Sequence, residues 1–152
     1  MVITKYDKAI RAVIYAFYFS VFILSFLAPV LQEIKGYPAG ENLYSLFSPI
    51  CHQYPTRCFW VFERPWALCA RCASGYLGFA VAALISRLQF PFWKRSLIGL
   101  LLIGLAAIDP LLQLFGFYES NNILRLITGL IGGYGTFLFV YPLPLKYKEQ
   151  AL

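Results

Sequence analysis

The sequence predicts an all-α integral membrane protein, built as four transmembrane helices in a bundle with one long structured outer loop. Three observations predict it. The first is composition: 60% of the 152 residues are hydrophobic and 13% are charged, against roughly 45–50% and about 25% in ordinary soluble domains. Mean hydropathy is +0.66. A water-soluble globule of this size leaves much of its surface exposed and cannot hide so much apolar area. A soluble enzyme, a disordered tail and a collagen-like fibre are thereby excluded. The second observation is that four stretches approach the ~20 apolar residues needed to cross a bilayer. The third is a one-sided distribution of basic residues, the usual mark of membrane orientation.

The first span is expected at residues 12–31, which hold no charge. It is too long for a typical signal-peptide core, and no clear small-x-small cleavage site follows, so it is expected to remain. The second, residues 67–86, contains Arg71 near its start. The third, residues 97–114, contains Asp109 and Pro110, and the residue before a proline avoids helical angles. The fourth, residues 124–143, has Arg125 in its first turn. Ser74, Gly78 and Ala82 recur every four residues on the second span, and Gly129 and Gly133 do so on the fourth. Such spacing lets helices approach closely in lipid, and these residues are read as packing surfaces. No internal repeat or low-complexity tract appears, so residues 1–152 are read as a single membrane domain.

With the N-terminus inside, Lys5, Lys8, Arg11, Arg87, Lys94, Arg95, Lys146 and Lys148 fall on the inner side, against Lys35, Arg57 and Arg64 in the outer loops. Eight against three predicts a multi-pass cell-membrane protein with both termini cytoplasmic. The net charge of +6 follows from this bias and does not point to nucleic acid, because no basic patch stands apart from helix ends. The long outer loop is then residues 32–66. Its prolines and its aromatics Phe59, Trp60, Phe62 and Trp66 suit the membrane–water boundary, and residues 42–47 suit a short amphipathic turn there.

All four cysteines lie between Cys51 and Cys72. Cys51, His52 and Cys58 belong to the outer loop, while Cys69 and Cys72 open the second span on one helix face. Asp109 and Gln113 share a face near the outer end of the third span. Glu119, Ser120, Asn121 and Asn122 form the outer turn, and Ser120 or Asn121 is positioned to cap the fourth helix. Arg125 and Thr128 follow. Every ionisable residue within a span therefore sits at the level of the cysteines. Charges at membrane depth usually face the protein interior, a wet cavity or each other. Asp109 and Arg125 are accordingly expected within salt-bridge reach, facing the cysteines.

These motifs resemble the membrane-protein family known as domain of unknown function 2085. The resemblance rests on Cys51-His52-Gln53, Arg57, Cys69-Ala-Arg71-Cys72, Gly75-Tyr76-Leu-Gly78, Asp109-Pro-x-x-Gln113, Gly116, Glu119-Ser-Asn-Asn122, Arg125 and Thr128-Gly129. It covers residues 51–129. The family pattern has Ser in place of Cys58 and Gly where Ala73 or Ser74 stands, so the resemblance gives Cys58 no shared role. It implies the membrane architecture and no particular activity.

Three chemistries suit the cluster. Cys51, His52, Cys69 and Cys72 offer the thiolate and imidazole ligands of tetrahedral zinc, and the helix dipole and Arg71 both favour thiolate. Cys51 and His52 are adjacent. If one cannot turn inward, three protein ligands and an open position remain, as in catalytic zinc sites. Alternatively, Cys51 and Cys58 exchange electrons with Cys69 and Cys72 as a quinone-linked thiol–disulfide oxidoreductase, with Arg71 facing the quinone. The third chemistry is non-catalytic, with the cysteines paired as structural disulfides. The metal reading leads because it uses His52 and does not need Cys58. Asp109, Gln113, Glu119, Asn122, Arg125 and Arg71 are then the catalytic candidates. They either orient ligands or bind an anionic lipid headgroup or small substrate at Arg71 and Arg125. No phosphate loop, nucleophile motif, zinc-protease helix or dinucleotide fingerprint is present, and no span carries a polar path from face to face.

Overall fold

A computed structural model describes residues 5–85 and 91–141. Four long helices form the bundle: α1 (Lys5–Lys35), α3 (Ala70–Ile85), α4 (Phe92–Leu114) and α5 (Asn122–Val140). The short helix α2 (Glu41–Phe47) and a hairpin of β1 (Trp60–Val61) and β2 (Arg64–Pro65) lie between α1 and α3. Among the described residues, three helices are long and apolar enough to cross a membrane, over Lys8–Lys35, Trp93–Leu114 and Asn122–Val140. The fourth, α3, is equally apolar but has 16 residues. Its described residues cover about 24 Å at 1.5 Å per residue, and residues 86–90, which follow, lie outside the described residues. Leu100, Leu101, Leu105, Ile108 and Leu111 of α4 are exposed, an apolar face suited to lipid and not to water.

The helix ends differ from the expected spans for local reasons. α1 continues past Leu31 to Lys35, so the loop begins at Gly36, whose φ of 72° ends the helix in the left-handed form that glycine tolerates. α3 begins at Ala70 and not at residue 67, because both backbone groups of Ala67 are engaged elsewhere. Its N–H donates to the Ser25 carbonyl (3.2 Å), and its carbonyl accepts from the Gln53 side chain (2.9 Å). The Ser25 carbonyl is available because Pro29, one turn on, has no N–H to give it. α4 begins at Phe92 and runs unbroken through Pro110. Asn121 caps α5, its side-chain oxygen accepting from the Leu124 N–H (2.8 Å). The amphipathic turn expected at residues 42–47 is α2, with Phe47 buried beneath it. Residues 86, 142 and 143 of the expected spans, and Arg87, Lys146 and Lys148 of the orientation argument, lie outside the described residues.

α3 packs against α1 on one side and α5 on the other, and α5 packs against α4. The small residues read from the sequence lie in the α3–α5 seam. A Cβ on Gly78 would fall 2.9 Å from the Leu130 Cα, and one on Gly133 would strike the Gly75 carbonyl. A second close approach joins α4 to α5, where a Cβ on Gly99 would lie 2.7 Å from the Gly135 carbonyl. One apolar cluster, with Ala28, Phe47, Cys51, Leu68 and Ala73, fills the end of the bundle under the loop. Another, with Phe79, Ala82, Phe137 and Leu138, fills the opposite end.

Candidate metal centre

At the loop end of α3 three sulfurs meet. Cys51 follows α2 and is fixed by its N–H bond to the Phe47 carbonyl (3.0 Å). Cys69 immediately precedes α3, and Cys72 lies in its first turn. The Sγ atoms of Cys51, Cys69 and Cys72 lie within 4.8 Å of one another. The Cys69 N–H donates to Cys51 Sγ (3.2 Å). Such N–H groups at a helix start lack a partner in the helix and carry the positive end of its dipole, so they favour thiolate. Hydrogen bonds from the Cys69 and Cys72 thiols hold the Cys51 thiol far below its ordinary range.

The loop delivers Cys51 through Gln53. Its side-chain amide donates to the carbonyls of Tyr44 (2.8 Å) and Ala67 (2.9 Å), tying α2 to the segment before α3. The Tyr44 hydroxyl donates to the Pro65 carbonyl (2.6 Å), and burial pushes its pKa up to about 12. Phe22, Phe26 and Phe59 surround the Trp66 ring edge to face, which seats the hairpin against α1.

His52 is not among the converging groups. Adjacent residues of non-helical chain tend to point opposite ways, and with Cys51 buried His52 is exposed, its ring stacked 5.6 Å from that of Tyr54. Cys58 is fully buried but stands outside the three-sulfur group. Burial pushes its thiol up to about 12. No disulfide joins any of the four cysteines.

The sulfurs form one wall of a cavity of about 240 Å³, lined also by His52, Gln53, Tyr54, Arg57, Arg71 and Arg125. Arg57 sits over the Tyr54 ring at 5.4 Å. Asn122 braces Arg125: its oxygen accepts from Arg125 Nη1 (3.0 Å), and its amide donates to the Cys58 carbonyl (3.0 Å). Asp109 is buried, but its ion-pair partner is Arg71 and not Arg125. Its other carboxylate oxygen accepts from the Tyr118 hydroxyl, a bond that raises the Tyr118 pKa. The expected pairing fails because Arg71 on α3 reaches Asp109 first, leaving Arg125 to Asn122. Ser120 joins this network through Arg71 (3.4 Å) and Gln113 (3.4 Å). Glu119 is exposed and is not part of the cavity wall. Arg57 and Tyr118 were not singled out as site residues from sequence. Arg57 stood in the sequence only as one of the motif residues of the family resemblance, and it closes the short prolyl turn Pro55–Arg57; Tyr118 carried no signal.

Residues 51–139 match the family described as "Predicted membrane protein (DUF2085)". The chain belongs to this family. A protein of Methanocaldococcus jannaschii described as uncharacterized is 34% identical over 157 residues, covering 95% of this chain and 97% of the relative. A second uncharacterized protein, from Methanothermobacter thermautotrophicus, is 38% identical over 92 residues, covering 59% of this chain and 82% of the relative. No solved structure matches. The DUF2085 match opens at Cys51 and includes every residue lining the cavity, whereas α1 lies outside it.

Proposed function

We propose that Cys51, Cys69 and Cys72 bind zinc at the outer face of a multi-pass membrane protein whose termini are both cytoplasmic. The observation that carries this reading is the meeting of three sulfurs within 4.8 Å on one cavity wall. Sulfurs sharing a tetrahedral zinc stand about 3.8 Å apart, given Zn–S bonds of about 2.3 Å, so a small inward movement seats the ion. Thiolates favour zinc over magnesium or calcium. Three ligands with a fourth position open to a cavity match catalytic zinc sites more closely than structural ones. Zinc there would supply Lewis-acid polarisation to whatever enters. His52 stands at the mouth and is not required as a ligand on this reading. The orientation is supported by the excess of basic residues in the sequence segments read as inner over those read as outer. The quinone-linked and structural-disulfide readings both draw on Cys58, which is not one of the three converging sulfurs.

Elemental analysis with a free-thiol count on purified protein tests the metal. Close to one zinc per chain is expected. Cys72→Ser should lose it, while Cys58→Ser and His52→Ala should keep it. Metal-free protein with paired thiols would return the redox reading. After chelation and reduction, Cys51 should react with a membrane-impermeant maleimide in intact cells. Reaction only in broken cells would reverse the orientation.

A further inference from the structure

We infer that the cavity beside the sulfurs binds a phosphate-type oxyanion, held by Arg57, Arg71 and Arg125. The inference rests on the metal reading for where the ligand lies against the sulfurs, and on the arginines for its chemistry. All three guanidiniums line one cavity of about 240 Å³. Among the described residues, the carboxylate bonded to any of them is Asp109, on Arg71. Three positive charges less one leave two. Three thiolates on one zinc carry a net single negative charge, so one positive charge still has no counter-ion.

Buried charge is costly unless paired. Arg125 is 5% exposed, yet its Nε has no hydrogen-bond partner. The Arg71 Nε is likewise buried and without one. Asn122 holds one Nη of Arg125, which fixes the fork while leaving other donors free. Guanidinium forks match the paired oxygens of phosphate in spacing and charge. Forks from three elements (the prolyl turn, α3 and α5) suit a tetrahedral anion better than a planar carboxylate. The volume admits a phosphate group with a small substituent. Trp60 and Trp66 mark the loop as a boundary element, so the oxyanion is supplied either by a phospholipid headgroup or by free phosphate or its small esters.

The test uses full-length, zinc-analysed protein in detergent micelles. One arm titrates inorganic phosphate by calorimetry. The other measures retention of phosphatidylglycerol from mixed micelles by native mass spectrometry. Saturable binding of a single oxyanion is expected in one of these arms, and which arm responds identifies the source. Arg125→Gln should weaken it about tenfold or more, the effect of losing one charge-assisted contact. Arg64→Gln, outside the cavity, should leave it unchanged. Arg57→Gln serves if Arg125→Gln does not fold. Absence of saturable binding in both arms, or wild-type binding by Arg57→Gln and Arg125→Gln, overturns the proposal. Zinc content separates the two readings: oxyanion binding by a protein that holds no zinc would sink the metal site and leave the anion site standing.

Discussion

The helices α3 and α5 meet in two ways. Midway along them Gly75, Gly78, Gly129 and Gly133 bring backbone against backbone, with no room for a Cβ at three of the four positions. One turn toward the loop the same faces carry Arg71 and Arg125, four residues before Gly75 and Gly129. There the helices enclose a cavity between long side chains of like charge. Like charges would drive the helices apart, and in lipid no hydrophobic effect pulls them together. The contrast assigns each region a role. The seam supplies the contact that holds the two guanidiniums near one another, and the cavity holds the repulsion that the seam offsets.

The largest test acts on the seam. Gly133→Leu drives a side chain into the Gly75 carbonyl and should cost about 3 kcal/mol or more, beyond the usual overpacking range, because backbone cannot rotate away. Gly104→Leu meets nothing within 4 Å and is the matched control. Melting in detergent micelles should separate the two. Equal melting temperatures would mean that the seam does not hold the helices.

A smaller effect is expected from the cavity's own counter-charge. Asp109→Asn keeps the hydrogen-bonding shape but leaves Arg71 facing Arg125 without a neutralising partner. A loss of about 2 kcal/mol is expected, below the full value for a buried pair because Arg71 is partly exposed. An unchanged melting temperature would show that the repulsion is relieved by other means.

The smallest change is Asn122→Ala, which frees Arg125 and the Cys58 carbonyl together. It should lower stability by about 1 kcal/mol with zinc content intact. Loss of the proposed zinc would show that Asn122 shapes the sulfur site too.

The seam was legible in sequence because small residues four apart define a face. The α4–α5 contact was not, since Gly99 and Gly135 are single glycines without that repeat. For the site, hydropathy shows how deep a residue lies but not which neighbour its side chain faces. The cysteines, Asp109 and Arg125 were therefore assigned to one layer, while the Arg71–Asp109 pairing depends on α3 lying between α1 and α5. The helix α1 runs past the apolar stretch of residues 12–31, to Lys35. Gln32 is in fact buried, and Glu33 is paired with Arg64 (3.6 Å).

Pro29 carries a consequence for assembly. A bilayer offers no water to an unbonded carbonyl, and the donor for Ser25 is the backbone of Ala67, beyond the whole loop. As an isolated helix, α1 is chemically unfinished. During synthesis the Ser25 carbonyl can gain this partner only after residue 67 has been made. Grafting α1 onto another chain would transplant a helix that lacks a bond.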